Sequence, residues 1–112
     1  MTELELRKRA AEIASQLRDE TIPDEEILRQ IREEPVLVHA TCLSGANLFL
    51  EAVVDNRFPV AQALHEMGAD IHWTCKASVF NGNALNVART PQQAEQLLAW
   101  GIEIEKNLSL HI

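Results

Sequence analysis

The chain has little of several things that would settle its class at once. Its 112 residues hold two cysteines, Cys42 and Cys75, without metal-type spacing and too few for a disulfide framework. That argues against a stapled scaffold and against structural zinc, and leaves two reduced, partly buried thiols. Tyrosine is absent and aromatics make up only 4%, so a core must come from Leu, Ile, Val and Ala. Ten basic residues stand against 17 acidic ones, for a net charge of −7. Nucleic acid and anionic membrane surfaces both need clustered Lys and Arg, so neither is an expected partner. The four glycines, Gly45, Gly68, Gly82 and Gly101, are scattered and form no phosphate loop. No apolar run is long enough for a membrane span. The start is a charged amphipathic stretch unlike a signal peptide. The expectation is a cytoplasmic protein.

What is present reads as helix. Thr2 and Glu5 form a capping-box pattern, and Leu6, Ala10, Ile13, Ala14 and Leu17 follow on one helical stripe. Pro23 suits a first helical position, Asp24, Glu25 and Glu26 suit a first turn, and Ile27, Leu28 and Ile31 supply a buried side that ends before Pro35. Residues 36–46 are rich in β-branched side chains and close on Ser44 and Gly45, which predicts an extended finger or turn. Helices are expected at 48–55, from Pro59 to Met67, at 84–89, and from Pro91 to Trp100 with Thr90 as cap. The last residues alternate Ile102, Ile104, Leu108, Leu110 and Ile112 around Lys106 and Asn107, a pattern that suggests a small hairpin.

The chain also repeats itself. Asn47-Leu48-Phe49-Leu50-Glu51-Ala52 lies beside Asn83-Ala84-Leu85-Asn86-Val87-Ala88, and Leu64 to Ile71 lies beside Leu97 to Ile104. The matched glycines, Gly68 and Gly101, are 33 residues apart, and the matched alanines, Ala52 and Ala88, are 36 apart. Residues 36–105 therefore resemble the ankyrin-repeat family, most closely at Gly68-Ala69-Asp70-Ile71. The usual Thr-Pro pair at the first helix is missing from both copies. The second copy has a shorter turn between its helices and a longer loop before it. The resemblance implies an all-α, ankyrin-like helix-turn-helix stack with short β-hairpin fingers. It would be one domain, with residues 1–35 as a helical cap and 36–112 as repeats ending in the hairpin.

Catalytic patterns are weak. His65-Glu66 resembles the start of a zinc-protease motif, but Ala69 stands where the second histidine would be. His39 and Cys42 lack an orienting group and an oxyanion site. Neither enzyme activity nor a metal or cofactor is expected. The loop after His72 carries Trp73, Thr74, Lys76, Phe80 and Asn81. Aromatics there read either as binding anchors or as residues folded onto the core. In the ankyrin-repeat family, fingers and first helices line the concave partner face. By that resemblance Glu51, Asp55, Arg57 and Arg89 would join the finger residues there. The expectation is a protein-binding module for a basic protein, such as an immunity or inhibitor protein that occludes a toxin or enzyme. The alternative is a self-assembling structural protein that dimerises through its terminal hairpin.

Overall fold

The structure, a computed structural model, describes residues 2–76 and 81–103. It is mostly helical. The elements are α1 (Glu3–Leu17), α2 (Asp24–Glu33), a 3-10 turn (Pro35–His39), α3 (Leu48–Val54), α4 (Phe58–Glu66), β1 (Cys75–Lys76), β2 (Asn81–Gly82), α5 (Ala84–Val87) and α6 (Pro91–Ala99). The helices pair in order, α1 with α2, α3 with α4, and α5 with α6, and the pairs stack so that α3 lies between α1 and α5.

Local signals set the helix starts. The Thr2 hydroxyl accepts from the Glu5 amide at 3.1 Å, and the Glu5 carboxylate accepts from the Thr2 amide, so two otherwise unpaired donors are met together. Thr90 caps α6 through the Gln93 amide at 3.1 Å, ahead of Pro91. Pro23 sits one residue earlier than expected, as the cap of α2, whose first turn holds Asp24, Glu25 and Glu26. Ala10, Ile13, Ala14, Leu17, Ile27 and Ile31 form the inner side of the first pair. They meet Leu48, Leu50, Ala52, Val53, Val60, Ala61 and Leu64 of the second. Buried aliphatics of this kind contribute roughly 1.5–3 kcal/mol each, which makes stacking the main source of stability.

One expectation changes. Residues 36–46 do not begin as an extended finger. Pro35 fixes the backbone for a helical turn, the Leu37 amide bonds the Glu34 carbonyl at 2.9 Å and the Ala40 amide bonds Leu37 at 3.1 Å. That single turn buries Leu37 and Val38, which outweighs their β preference. Only from Ala40 is the chain extended. There Thr41 bridges to Asn47, and the Cys42 amide bonds Ala46 at 2.7 Å.

The second and third pairs share atomic detail. Gly68 and Gly101 both have φ of +94°, which suits glycine. Around them the same two bonds recur: Gly68 to the His65 carbonyl and Ala69 to Leu64, then Gly101 to Leu98 and Ile102 to Leu97, at 2.9–3.2 Å. This is a Schellman ending, with the apolar pairs Leu64–Ala69 and Leu97–Ile102 closing it. Asn47 caps α3 through the Leu50 amide and donates its Nδ2 to the Asp70 carbonyl at 2.8 Å. Asn83 caps α5 and donates its Nδ2 to Glu103 at 2.6 Å. Each cap thus ties the start of its pair to the chain leaving it. Cys75 and Lys76 pair antiparallel with Gly82 and Asn81. The expected terminal hairpin, with Leu108, Leu110 and Ile112, lies outside the described residues.

Candidate binding groove

Two arginines govern the edge where the helix pairs turn. Arg57, at the start of α4, donates its Nε to the Leu17 carbonyl at 2.9 Å and its Nη2 to Gln16 and Asp19. Its Nη1 pairs with Asp24 at 2.8 Å. The last carbonyls of a helix have no partner within it, and a guanidinium there meets both the geometry and the dipole. Arg89 repeats the arrangement one layer on: its Nε donates to the Val54 carbonyl, the last of α3, at 3.0 Å, and Nη2 joins it. Gln93 adds a bond to the Asn56 side chain at 2.8 Å.

Beside these arginines runs an open groove of about 620 Å³, lined among others by Arg18, Asp24, Asp55, Asn56, Arg57 and Arg89. Behind it, outside its lining, lies a buried carboxylate. Glu51 is only 1% exposed. It accepts from the Ser44 hydroxyl at 2.6 Å and pairs with Arg18 at 3.3 Å. Asp55 follows one turn later, with Arg18 Nε at 4.0 Å. Its Oδ2 is buried and meets no hydrogen-bond donor among the described residues. Burial, and then the charge of Glu51, raise the Asp55 pKa above the ordinary carboxylate value, against the opposing pull of Arg18, Arg89 and Arg57.

The groove therefore brings together three of the residues singled out from the sequence, Asp55, Arg57 and Arg89. Glu51 is placed inside the fold, not on an open face, because its carboxylate binds Ser44 and Arg18. Arg57 is largely spent on backbone carbonyls. Trp73 is half-buried and packs on the core, and its indole donates to the Gly45 carbonyl at 2.9 Å. Thr74 is exposed. Phe80 and the side chains of Lys76 and Asn81 lie outside the described residues. The sequence reading missed Arg18 and Trp100. Trp100 stacks on Phe58 at 5.5 Å and 10°, lies 4.6 Å from His65, and tilts against Phe49 at 6.2 Å. His65, against that ring, is half-covered. The place of Trp100 just before Gly101, at the end of a helix, was the signal available.

The Cys42 thiol is buried, with its pKa pushed up to about 12 by burial and then by Glu51, so thiolate is scarce at neutral pH. His39 is exposed. Among the described residues no three His, Cys, Asp or Glu gather as metal ligands, and no helix is long and apolar enough to cross a membrane. The fold and groove define a mostly helical stack of paired helices with a charged cleft along one edge. No family model, curated protein or solved structure matches the chain.

Proposed function

We propose that the chain is a small ankyrin-like repeat protein that works by binding another protein, without catalysis, and that its partner is basic. The recurrence of one bonding scheme around Gly68 and Gly101, and around Asn47 and Asn83, supports the repeat reading. The observation that carries the binding reading is the groove. It is a preformed cleft whose Asp55 carboxylate is short of a donor, flanked by Arg89, an exposed arginine with no carboxylate partner among the described residues. A buried acceptor without a donor is unusual enough to need a reason, and a turn of the half-covered Asp55 side chain would offer it to a basic side chain from a partner. With a net charge of −7, such a partner would also be steered in. An immunity or inhibitor protein that blocks a basic toxin or enzyme fits this chemistry.

Affinity capture from the native source lysate, read by mass spectrometry, tests the reading. The wild-type chain should capture one basic protein, and an Asp55→Lys, Arg89→Glu double variant that keeps its helical circular dichroism should lose it. Recovery of chaperones alone, or equal capture by both forms, would remove the proposal.

A further inference from the structure

A second cavity, of about 140 Å³, lies where α1 faces α3 and the turn at Leu43 and Ser44. Ala11 and Ala14 of α1 line it with only a methyl group each, and Leu43, also in its lining, is 60% exposed. Glu51 of α3 lines it too, with its side chain 2% exposed. Arg18 is shared between this cavity and the groove.

A buried carboxylate is stable only where donors meet its oxygens. Glu51 has one firm donor, the Ser44 hydroxyl at 2.6 Å on Oε1. Its Oε2 has Arg18 at 3.3 Å, and the same guanidinium stands 4.0 Å from Asp55. Charge-assisted bonds of this kind close to about 2.7–2.9 Å where geometry permits. Elsewhere in the chain they do: Arg57 pairs with Asp24 at 2.8 Å and Arg9 with Glu34 at 2.9 Å. Arg57 is also locked by its bonds to three carbonyls, whereas the Arg18 side chain is 56% exposed. One cation is thus divided between two carboxylates a helical turn apart, and neither holds it firmly.

We propose that this cavity takes a lysine side chain of the partner protein, whose ammonium displaces Arg18 from Glu51. The inference rests on the reading of the chain as a binder of a basic protein, and it names a contact outside the groove. Charge complementarity selects a cation, because Glu51 and Asp55 share a single loosely held guanidinium. Size selects lysine. A cavity of roughly 150 Å³ holds one six-carbon ring, so 140 Å³ suits a single unbranched side chain. An ammonium is a compact charge on a methylene stem, whereas a guanidinium is planar and broader. The stem would lie along Ala11, Ala14 and Leu43 while the charge reaches Glu51. Arg18 would withdraw into the groove that it also lines. Arg18 is thus an internal stand-in that covers Glu51 until the partner arrives.

The probe is N-acetyl-lysine-N-methylamide, titrated at low salt into the isotope-labelled full-length chain and followed by amide NMR. Saturable shifts are expected at Leu43, Ser44 and Glu51, and none from the norleucine analogue, which keeps the stem and lacks the ammonium. Arg18→Ala should tighten binding about two- to fivefold, the strength of one exposed ion pair converted to affinity. Arg29→Ala removes the same charge from α2, where it pairs with Glu26 and Glu33, and should leave binding unchanged. Glu51→Gln should abolish the shifts. If that variant misfolds, Ala11→Leu, which fills the cavity and alters no charge, should abolish them instead. Three outcomes overturn the inference: no shifts even with Arg18→Ala up to the solubility of the probe, equal tightening by Arg18→Ala and Arg29→Ala, or undiminished shifts with Ala11→Leu. Because the probe is defined, its failure removes this cavity and leaves the partner reading standing. A failed lysate capture with intact probe binding removes the partner reading alone.

Discussion

The guanidinium of Arg57 closes the carbonyl end of α1 by donating to Leu17 at 2.9 Å while it holds Asp24, at the start of α2, at 2.8 Å. One side chain of the second layer thus fixes both helices of the first at their shared turn. Arg57→Ala should destabilise the fold by about 2–4 kcal/mol, since it strips donors from three carbonyls and leaves a carboxylate unpaired. Arg57→Lys should recover less than half of that, because an ammonium cannot fork between Leu17 and Asp24. Urea unfolding of both variants measures it. A loss under about 0.5 kcal/mol for Arg57→Ala would mean the clamp is ornamental.

The Asn47 side chain does two things at once, capping α3 and donating to the Asp70 carbonyl. Asn47→Asp keeps the cap acceptor and removes the donor, placing a carboxylate against a carbonyl. Asn47→Asp should therefore cost at least as much as Asn47→Ala, about 1–3 kcal/mol. If the aspartate variant is as stable as wild type by thermal unfolding, the cross-link to Asp70 contributes nothing.

Asp55 supplies a pH signature. Its pKa is raised in the fold, by burial first and by Glu51 second, so its ionised form costs the native state. That cost is present above the folded pKa, falls as pH drops through it, and is gone below the unfolded value of about 4. Asp19 and Glu26 have lowered pKa values, through bonds from Thr21 and Arg29, and pull the other way. Comparison with a variant isolates Asp55 from them. Asp55→Asn should melt at or above the wild-type temperature at pH 7, and the difference should shrink toward zero by pH 4. A variant that melts lower at pH 7 would show that the Arg18–Asp55 attraction outweighs burial.

How much of this was legible beforehand follows from what periodicity encodes. Helix starts at Thr2 and Thr90, and the helix-ending turns at Gly68 and Gly101, are local events, and the sequence displays them. The 3-10 turn after Pro35 was misread because Val36, Leu37 and Val38 favour strands in isolation, while burial of Leu37 and Val38 decides the matter. Glu51 and Arg57 were placed on a binding face by the family resemblance, although the fold buries the one and covers most of the other. Their partners, Ser44 and Arg18 for the one and the Leu17 carbonyl for the other, are up to 40 residues away. Bonds between a side chain and a distant backbone leave no periodic trace. The groove was therefore only half visible: Asp55, Arg57 and Arg89 were found, and Arg18 was not.

The two thiols give the last prediction. Cys42 is 1% exposed and Cys75 2% exposed. The Cys42 Sγ lies 3.8 Å from the Ala10 carbonyl, with its pKa held up at about 12. A disulfide reagent needs both access and thiolate, so in the native chain Cys42 should react only through opening of the first two layers. Labelling with a chromogenic aromatic disulfide at pH 8 should be slower than in urea by about the folding equilibrium constant, roughly a thousandfold or more. Arg57→Ala should speed it by the factor its stability loss predicts, because the clamp and the thiol both bond to α1. Prompt native labelling of Cys42 would mean that α1 leaves the stack without global unfolding, and that the cap helix is a separate, weaker unit.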